Sequence, residues 1–517
     1  MRAFRALVGV IAFLAVWEGA SRTGLVNPLY VPPPSSVAVA LVASLTQPAF
    51  LAALTSTVLS WLIAAILATV IGITLGLLLG SIRRLRTATA MVVEFIRPLP
   101  GVALIPLVIA LIGTNAQTKI SLAVFAALWP ILFNTIYGLN KLDPLWLDVA
   151  RTYRTSRRRI ALLIRLPAVA PYALTGIRLS VTIALISLIS TEYLAGGTIG
   201  LGQYIAGVGG SGRMDLVLAG VVVAGLLSCG ADVAVGALHR KLSTWTGWGS
   251  QRSATTTSPS RWHAATPARV AEQWLLFVLC VLLWQVATRA AANPYFPSPS
   301  QIASTARQLW LTGPARSLFL SEPVFHDILP SLARLATGWL AAAAIGIVVG
   351  LALGRSRLAR EYCTGLLVFL RALPVPTLVP VLLTLFSIGP RMEIMTIAFG
   401  AVWPVLLGSL DGARMVDQVR LDTAQVFGVT GLRRAVSVIV PSALPGVFAG
   451  LRISLSIALV MMVISELVGS TSGIGYQLVF AQGQSDLPAM WAWIVLLGVI
   501  GYLANSLLTV IERRVLR

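Results

Sequence analysis

The sequence predicts an all-α protein, a polytopic transmembrane helical bundle of two tandem six-span repeats with about 12 spans. Three observations carry this reading. Of the 517 residues, 57% are hydrophobic and only 11% are charged, whereas soluble domains average about a quarter charged. Apolar runs such as Val58 to Leu79 and Leu335 to Leu353 approach the roughly 20 residues that cross a bilayer as a helix. The chain also repeats itself at one fixed offset.

A shift of 274 maps Gly76 and Gly80 onto Gly350 and Gly354, and Arg97 and Pro100 onto Arg371 and Pro374. It maps Pro106 onto Pro380, Trp129-Pro130 onto Trp403-Pro404, Asp148 onto Asp422, Pro167 onto Pro441, Gly176 onto Gly450, Arg178 onto Arg452 and Glu192 onto Glu466. One offset held over such a length is a duplication. It divides the chain into a first unit (1–239), a Ser/Thr/Pro-rich linker (240–269) and a second unit (270–517), the linker reading as a flexible tether.

Within the units the apolar runs give spans near 6–20, 55–80, 89–113, 118–138, 168–192 and 214–238, then 270–290, 330–354, 365–388, 393–412, 442–467 and 487–511. The first run follows Arg2 and Arg5 like a leader. However, its Trp17 and Asn27-Pro28 reappear internally as Trp284 and Asn293-Pro294, so it reads as a retained span. The net charge of +21 belongs to arginine clusters at the ends of runs, the pattern of cytoplasmic loops, and not to a nucleic-acid surface. Arg83-Arg84-Leu85-Arg86, Arg151 to Arg165, Arg355 to Arg360, Arg420 to Arg434 and the C-terminal arginines fall on one side. Both termini are therefore expected in the cytoplasm, and the halves are parallel repeats about an axis along the membrane normal. Cys229, Cys280, Cys363 and the three histidines are scattered, which argues against a disulfide frame or metal site.

The loop between the fourth and fifth spans carries the functional signal. Asp143 and Asp417 are placed to N-cap a short helix, with Pro144 in its first turn. Asp148 and Asp422 lie inside it, small residues Ala150 and Ala424 are expected on its surface, and Gly428 suits a left-handed terminator. Arg154 stands where the first loop would have that glycine. Ser156 and Thr430 can cap a second helix, which runs to Pro167 or Pro441.

An acidic residue, small residues, a glycine and a later Leu-Pro pair together resemble the signature loop of ATP-binding-cassette (ABC) importer permeases. Arg97-Pro98-Leu99-Pro100, Trp129-Pro130, Gly176-Ile177-Arg178-Leu179 and Thr191-Glu192 before Gly200-Leu201-Gly202 are similar to the nitrate/sulfonate/taurine type. Their second-copy equivalents repeat the likeness. The resemblance implies a type I ABC importer-like fold and a bacterial inner-membrane location. It implies two cytoplasmic ABC ATPase subunits, which carry ATP and Mg, and an extracytoplasmic substrate-binding protein. Asp143, Asp148, Ala150, Arg154 and Pro167, with Asp417, Asp422, Ala424, Gly428 and Pro441, would form two ATPase-coupling elements. In both loops Asp stands where the family usually has Glu, and Val149 or Thr423 replaces the first small residue, so the two loops are expected to be unequal.

Without a GxxxxGK[ST] loop the chain has no P-loop of its own; it reads as a transport subunit and not an enzyme. No cofactor, nucleic acid or homodimer is expected, since both halves of the pathway sit in one chain surrounded by membrane lipid. Ionisable residues in spans usually face a cavity or a partner. This makes Glu94, Arg97 and Arg371, beside Pro100 and Pro374, candidates for the pathway or gate. Glu192 and Glu466 end the fifth spans, as a gate or binding-protein contact, or as interfacial charges reaching water. Trp129, Trp403 and Asn134 complete the set, the tryptophans reading first as packing residues. Glu94 faces Val368 and Asn134 faces Gly408 across the repeat, which suits a pseudo-symmetric path for a small, asymmetric or anionic solute. A secondary transporter with parallel six-span repeats would share the hydropathy but gives no reason for paired, capped cytoplasmic loops. A membrane-embedded enzyme finds no clustered constellation to support it.

Overall fold

The computed structural model describes residues 2–197, 199–245, 267–291 and 293–516, and every regular element among them is helical. The first unit comprises α1 (Arg2–Arg22), α2 (Pro34–Ser44), α3 (Pro48–Ser81), α4 (Arg83–Ile96), α5 (Ile105–Ile112), α6 (Ala116–Lys141), α7 (Pro144–Thr152), α8 (Arg157–Ile160), α9 (Leu166–Ala195), α10 (Leu201–Gly210) and α11 (Met214–Trp245). The second comprises α12 (Pro267–Ala291), α13 (Pro299–Trp310), α14 (Leu329–Arg355), α15 (Arg357–Ala372), α16 (Val379–Phe386), α17 (Pro390–Arg414), α18 (Gln418–Val426), α19 (Gly431–Arg434), α20 (Val440–Gly469), α21 (Ile474–Gly483) and α22 (Leu487–Val515). The expected linker is shorter than read from composition, because helix continues to Trp245 and resumes at Pro267. Its remainder, 246–266, lies outside the described residues.

Among the described residues ten helices are long and apolar enough to cross a membrane, or 12 spans if each of two bent pairs counts once. Those pairs correct the expectation of continuous third spans. Helices α4 and α5 meet at 78°, and α15 and α16 at 90°. Proline supplies the cause: it lacks an N–H and drives the residue before it towards extended backbone. Pro100 and Pro374 themselves sit extended at the breaks, with ψ 120° and 104°. Short helices α2, α10, α13 and α21 lie outside the predicted spans.

The helices pack through small residues, which let backbones approach where lipid offers no hydrophobic drive between helices. A Cβ on Gly176 would stand 2.8 Å from the Pro130 carbonyl oxygen, and one on Gly450 2.6 Å from that of Pro404. The Gly-x-Arg and Trp-Pro motifs thus meet each other in both halves.

The two units exchange elements. Helix α1 packs on α15, where Arg5 meets Glu361 at 2.5 Å and a Cβ on Gly9 would lie 2.1 Å from the Tyr362 carbonyl oxygen. Helix α12 packs on α4, with Phe277 edge-on to Phe95. The segments after the breaks do the same in the interior. Val102, Ala103, Ile105 and Leu107 are buried in a core shared with Met461, Trp493 and Leu497, while Leu373 and Val381 join Ile205, Val217 and Val221.

Candidate functional site

The two loops between α6 and α9 and between α17 and α20 have nearly the same geometry. Asp143 accepts a hydrogen bond from the Leu145 N–H at 3.0 Å, and Asp417 one from Val419 at 3.0 Å. Each thereby satisfies an amide that a helix start leaves open. At the far end Arg154 N–H reaches the Arg151 carbonyl and Thr155 N–H the Ala150 carbonyl, at 2.9 and 3.0 Å. Gly428 and Val429 reach Gln425 and Ala424 in the same way, at 3.0 and 2.8 Å. Arg154 is left-handed at φ 51° and Gly428 at φ 68°, so the first loop keeps the turn despite a side chain that disfavours it by about 1–2 kcal/mol.

Two expectations are corrected here. Ala150 and Ala424 are buried, 6% and 7% exposed, and do not form the outer face. The exposed face is instead large and apolar: Leu145, Trp146, Val149 and Tyr153 in one loop, Val419, Val426 and Phe427 in the other. Thr430 makes no capping hydrogen bond, whereas Ser156 accepts one from the Arg159 N–H at 3.4 Å, as an N-cap does. Asp148 pairs along its own helix with Arg151 at 2.9 Å, and Asp422 accepts from Gln418 at 3.0 Å. After each loop a wide π-helical turn, Ala161–Arg165 or Ala435–Ile439, leads into Pro167 or Pro441 at the start of the fifth span.

Glu192 and Glu466 are fully buried, 0% and 1% exposed, which corrects their reading as interfacial charges reaching water. Glu192 accepts from Lys119 at 2.8 Å, from Thr57 at 2.8 Å and from the Gly202 N–H at 3.1 Å. Glu466 accepts from Ser331 at 2.6 Å and from the Gly475 N–H at 2.8 Å, with Arg334 at 3.3 Å. A charge so buried needs a partner of this kind. Lys119, Arg334 and Glu393, also buried and ion-paired, had no signal in the sequence beyond being charged residues inside apolar runs.

Arg178 donates to both carboxylate oxygens of Asp232, at 2.6 and 2.8 Å, and Arg371 of the other unit stands 3.8 Å from the same group. Arg452 pairs with Glu512. Arg178 and Arg452 are thus each tied to the sixth span of their own unit. Arg97 is exposed, its guanidinium 4.7 Å from the Phe133 ring centre. Among the described residues no carboxylate lies within 4 Å of it. Glu94, one turn earlier, is half-buried. Trp129 packs between Phe125 and Phe133, and Trp403 on Phe399; both indole N–H groups are buried without a partner. Asn134 donates to the Pro130 carbonyl at 2.8 Å. Its equivalent Gly408 has no room for a side chain, since a Cβ would lie 2.5 Å from the Gly446 carbonyl oxygen. Among the described residues no cluster of three His, Cys, Asp or Glu could hold a metal.

Fold and site define a polytopic helical-bundle membrane protein of two interlocked repeats, each with a broken third span and a capped loop at the same end. The chain belongs to the family of binding-protein-dependent transport system inner membrane components, whose pattern it matches twice, over residues 68–244 and 317–517. It is 31% identical over 245 residues to SsuC of Bacillus subtilis (strain 168), a permease protein named for aliphatic sulfonates transport. It is 30% identical over 240 residues to the taurine transport system permease protein TauC of Escherichia coli (strain K12). A bicarbonate transport system permease protein, CmpB of Synechococcus elongatus, is 28% identical over 240 residues. Each alignment takes 86% of the relative but only 46–47% of this chain. One relative thus corresponds to about half of this protein, as expected if the chain holds two such units. The chain is an ABC-type permease of this transport group, with multiple spans in the inner membrane.

Proposed function

We propose that this chain forms the whole translocation pathway of an ABC importer, both permease halves in one polypeptide, and needs no second copy of itself. Two cytoplasmic ATPase subunits dock on the loops centred on α7 and α18, bind ATP and Mg, and drive the cycle; this chain itself hydrolyses nothing. A binding protein delivers the solute to the opposite side, and both termini lie in the cytoplasm. The observation that carries this reading is the pair of loops, capped by Asp143 and Asp417, that hold apolar faces out to solvent at one end of the bundle. A secondary transporter gives such faces no occupant, and large apolar side chains grouped on an exposed face mark an interaction site.

The solute is a small anion. Arg97, without an ion-pair partner among the described residues and beside the broken span, supplies the positive charge. The names of the relatives, which refer to sulfonates, taurine and bicarbonate, support the charge but select none of these solutes. Co-expression with an ABC ATPase and a binding protein from the same organism, followed by uptake of labelled taurine, an alkanesulfonate or bicarbonate into proteoliposomes, tests the reading. Uptake should require ATP inside the complex's cytoplasmic face and persist without an ion gradient. Gradient-driven uptake with no ATPase bound would overturn it.

A further inference from the structure

The fifth spans connect the two ends of the molecule. Helix α9 begins directly after the first loop and ends at Ala195, with Glu192 in its last turn. At that end the chain reverses into α10, whose first N–H groups are held from outside the helix. Leu201 N–H donates to Thr57 at 2.8 Å and Gly202 N–H to Glu192 at 3.1 Å. In the second half Ile474 N–H donates to Ser331 at 3.0 Å and Gly475 N–H to Glu466 at 2.8 Å. The glycines permit the approach: a Cβ on Gly200 would stand 2.0 Å from the Glu192 carboxyl carbon, and one on Gly473 2.5 Å from that of Glu466. This is what the Gly-x-Gly motif following each glutamate is for.

The anchor is the same in both halves, but the cation that neutralises it is not. In the first half it is Lys119 from α6, which also donates to Ser56 and to the Ile199 carbonyl. In the second half the equivalent of Lys119 is Glu393, and the cation has moved to Arg334 of α14, where the first half has Ser60. The charge reversal at one position is thus accompanied by a new cation one helix away. Asp327, at the position of Ala53, adds a further hold on Gly473 N–H at 2.8 Å and on Gln477 at 2.9 Å. Two chemically different solutions keep one geometry, so the geometry is what is being kept.

The held helices reach across the molecule. Gly209 at the end of α10 lies against Pro380 of α16, 3.2 Å from a Cβ placed on the glycine, and α21 lies against α5. The contacts are between units, at the end of the bundle opposite the loops. We infer that Glu192 and Glu466 are positioning residues that make each fifth span and its following short helix one rigid lever. Through it, displacement of a loop at one end moves α10 or α21 off the other unit's broken span at the other end. This rests on the ATP-driven reading above.

The test uses the complete complex with its ATPase, with Cys229, Cys280 and Cys363 replaced by alanine and Gly209→Cys and Pro380→Cys introduced as a reporter pair. Their Cβ positions lie 3.2 Å apart, just under the roughly 3.5–4.5 Å of disulfides, so a shift of a few tenths of an ångström lets the bond form. In this background, trapping with ATP and vanadate should lower the disulfide yield several-fold; an unchanged yield while the complex hydrolyses ATP would overturn the inference alone, whereas the absence of vanadate-sensitive ATP hydrolysis by the complex would sink the ATP-driven reading. With Glu192→Gln the yield should remain within about twofold of its untrapped value while ATP hydrolysis continues, which is loss of coupling without loss of the motor. A several-fold fall, as in the background, would overturn the inference. If Glu192→Gln does not assemble, Thr57→Val is the milder variant, and it should at least halve the response; a full response would equally overturn it. Lys119→Glu should abolish the response, and Ser60→Arg added to it should restore at least half by rebuilding the second half's arrangement. A double variant no better than Lys119→Glu alone counts against the anchor as the cause.

Discussion

Arg154 and Gly428 occupy the same left-handed turn in the two loops, at φ 51° and 68°, each closing the same pair of backbone hydrogen bonds. The arginine therefore holds a conformation that costs an L side chain about 1–2 kcal/mol. Arg154→Gly should relieve part of this, offset by the greater freedom of glycine in the unfolded loop. A net gain of up to about 1 kcal/mol is expected, seen as up to fivefold slower hydrogen exchange in α7. Gly428→Arg should cost α18 about 1–2 kcal/mol. Because the two start from different strain, their effects on transport should differ in size, and equal and opposite effects would refute the inequality of the loops.

The buried position of Ala150 and Ala424 gives a second prediction. Ala150→Leu and Ala424→Leu should each cost about 1–3 kcal/mol through overpacking beneath the loop helix. Trp146→Ala and Phe427→Ala, on the exposed face, should leave thermal stability within about 0.5 kcal/mol yet release the ATPase during purification. Melting curves set beside the ATPase stoichiometry after affinity purification separate the two classes. Reduced stability in the aromatic variants with the ATPase still bound would contradict the assignment of faces.

The contrast between these two sets of residues also marks what the sequence could convey. A duplication at one offset and apolar runs of bilayer length made the spans legible, and Asp143 and Asp417 announced the helix starts. The two faces of α7 were not legible, because Leu145, Trp146 and Val149 lie on its exposed face, the reverse of the usual rule that an amphipathic helix turns its apolar side to the core. Nor was the compensation of Glu393 by Arg334, since the two lie 59 residues apart and meet only once α14 packs on α17. Proline at 100 and 374 signalled distortion near the third spans, but the size of the bends depends on the other unit that receives the segment after each break.

A third prediction concerns those breaks. Arg97 has no carboxylate within reach among the described residues, whereas Arg371 shares Asp232 with Arg178. Arg97→Ala should therefore lower uptake of an anionic solute at least tenfold with little change in melting temperature. Arg371→Ala should have a smaller effect on uptake. Asp232→Asn should destabilise by roughly 1–3 kcal/mol, as expected when a carboxylate paired with a part-buried arginine is neutralised. Uptake rates and melting temperatures measured on the same preparations would show whether the two arginines differ in this way; equal uptake losses would remove Arg97 from the pathway.

The last prediction tests whether the two halves are held by the same close helix crossing. Gly176→Ala and Gly450→Ala would each place a Cβ within 3 Å of a proline carbonyl oxygen on the fourth span. Backbone on both sides leaves no flexible side chain to give way, so each should cost about 1–3 kcal/mol. Gly207 and Gly483 have open space at the same point, and alanine there should be neutral or slightly stabilising by restricting the unfolded chain. In detergent, the first pair should melt several degrees below the parent protein and the second pair at or above it. The two members of the first pair should also shift by similar amounts, because Pro130 and Pro404 stand at equivalent places. A shift confined to one of them would mean that only one half depends on this contact, and the pseudo-symmetry of the crossing would not extend to its energetics.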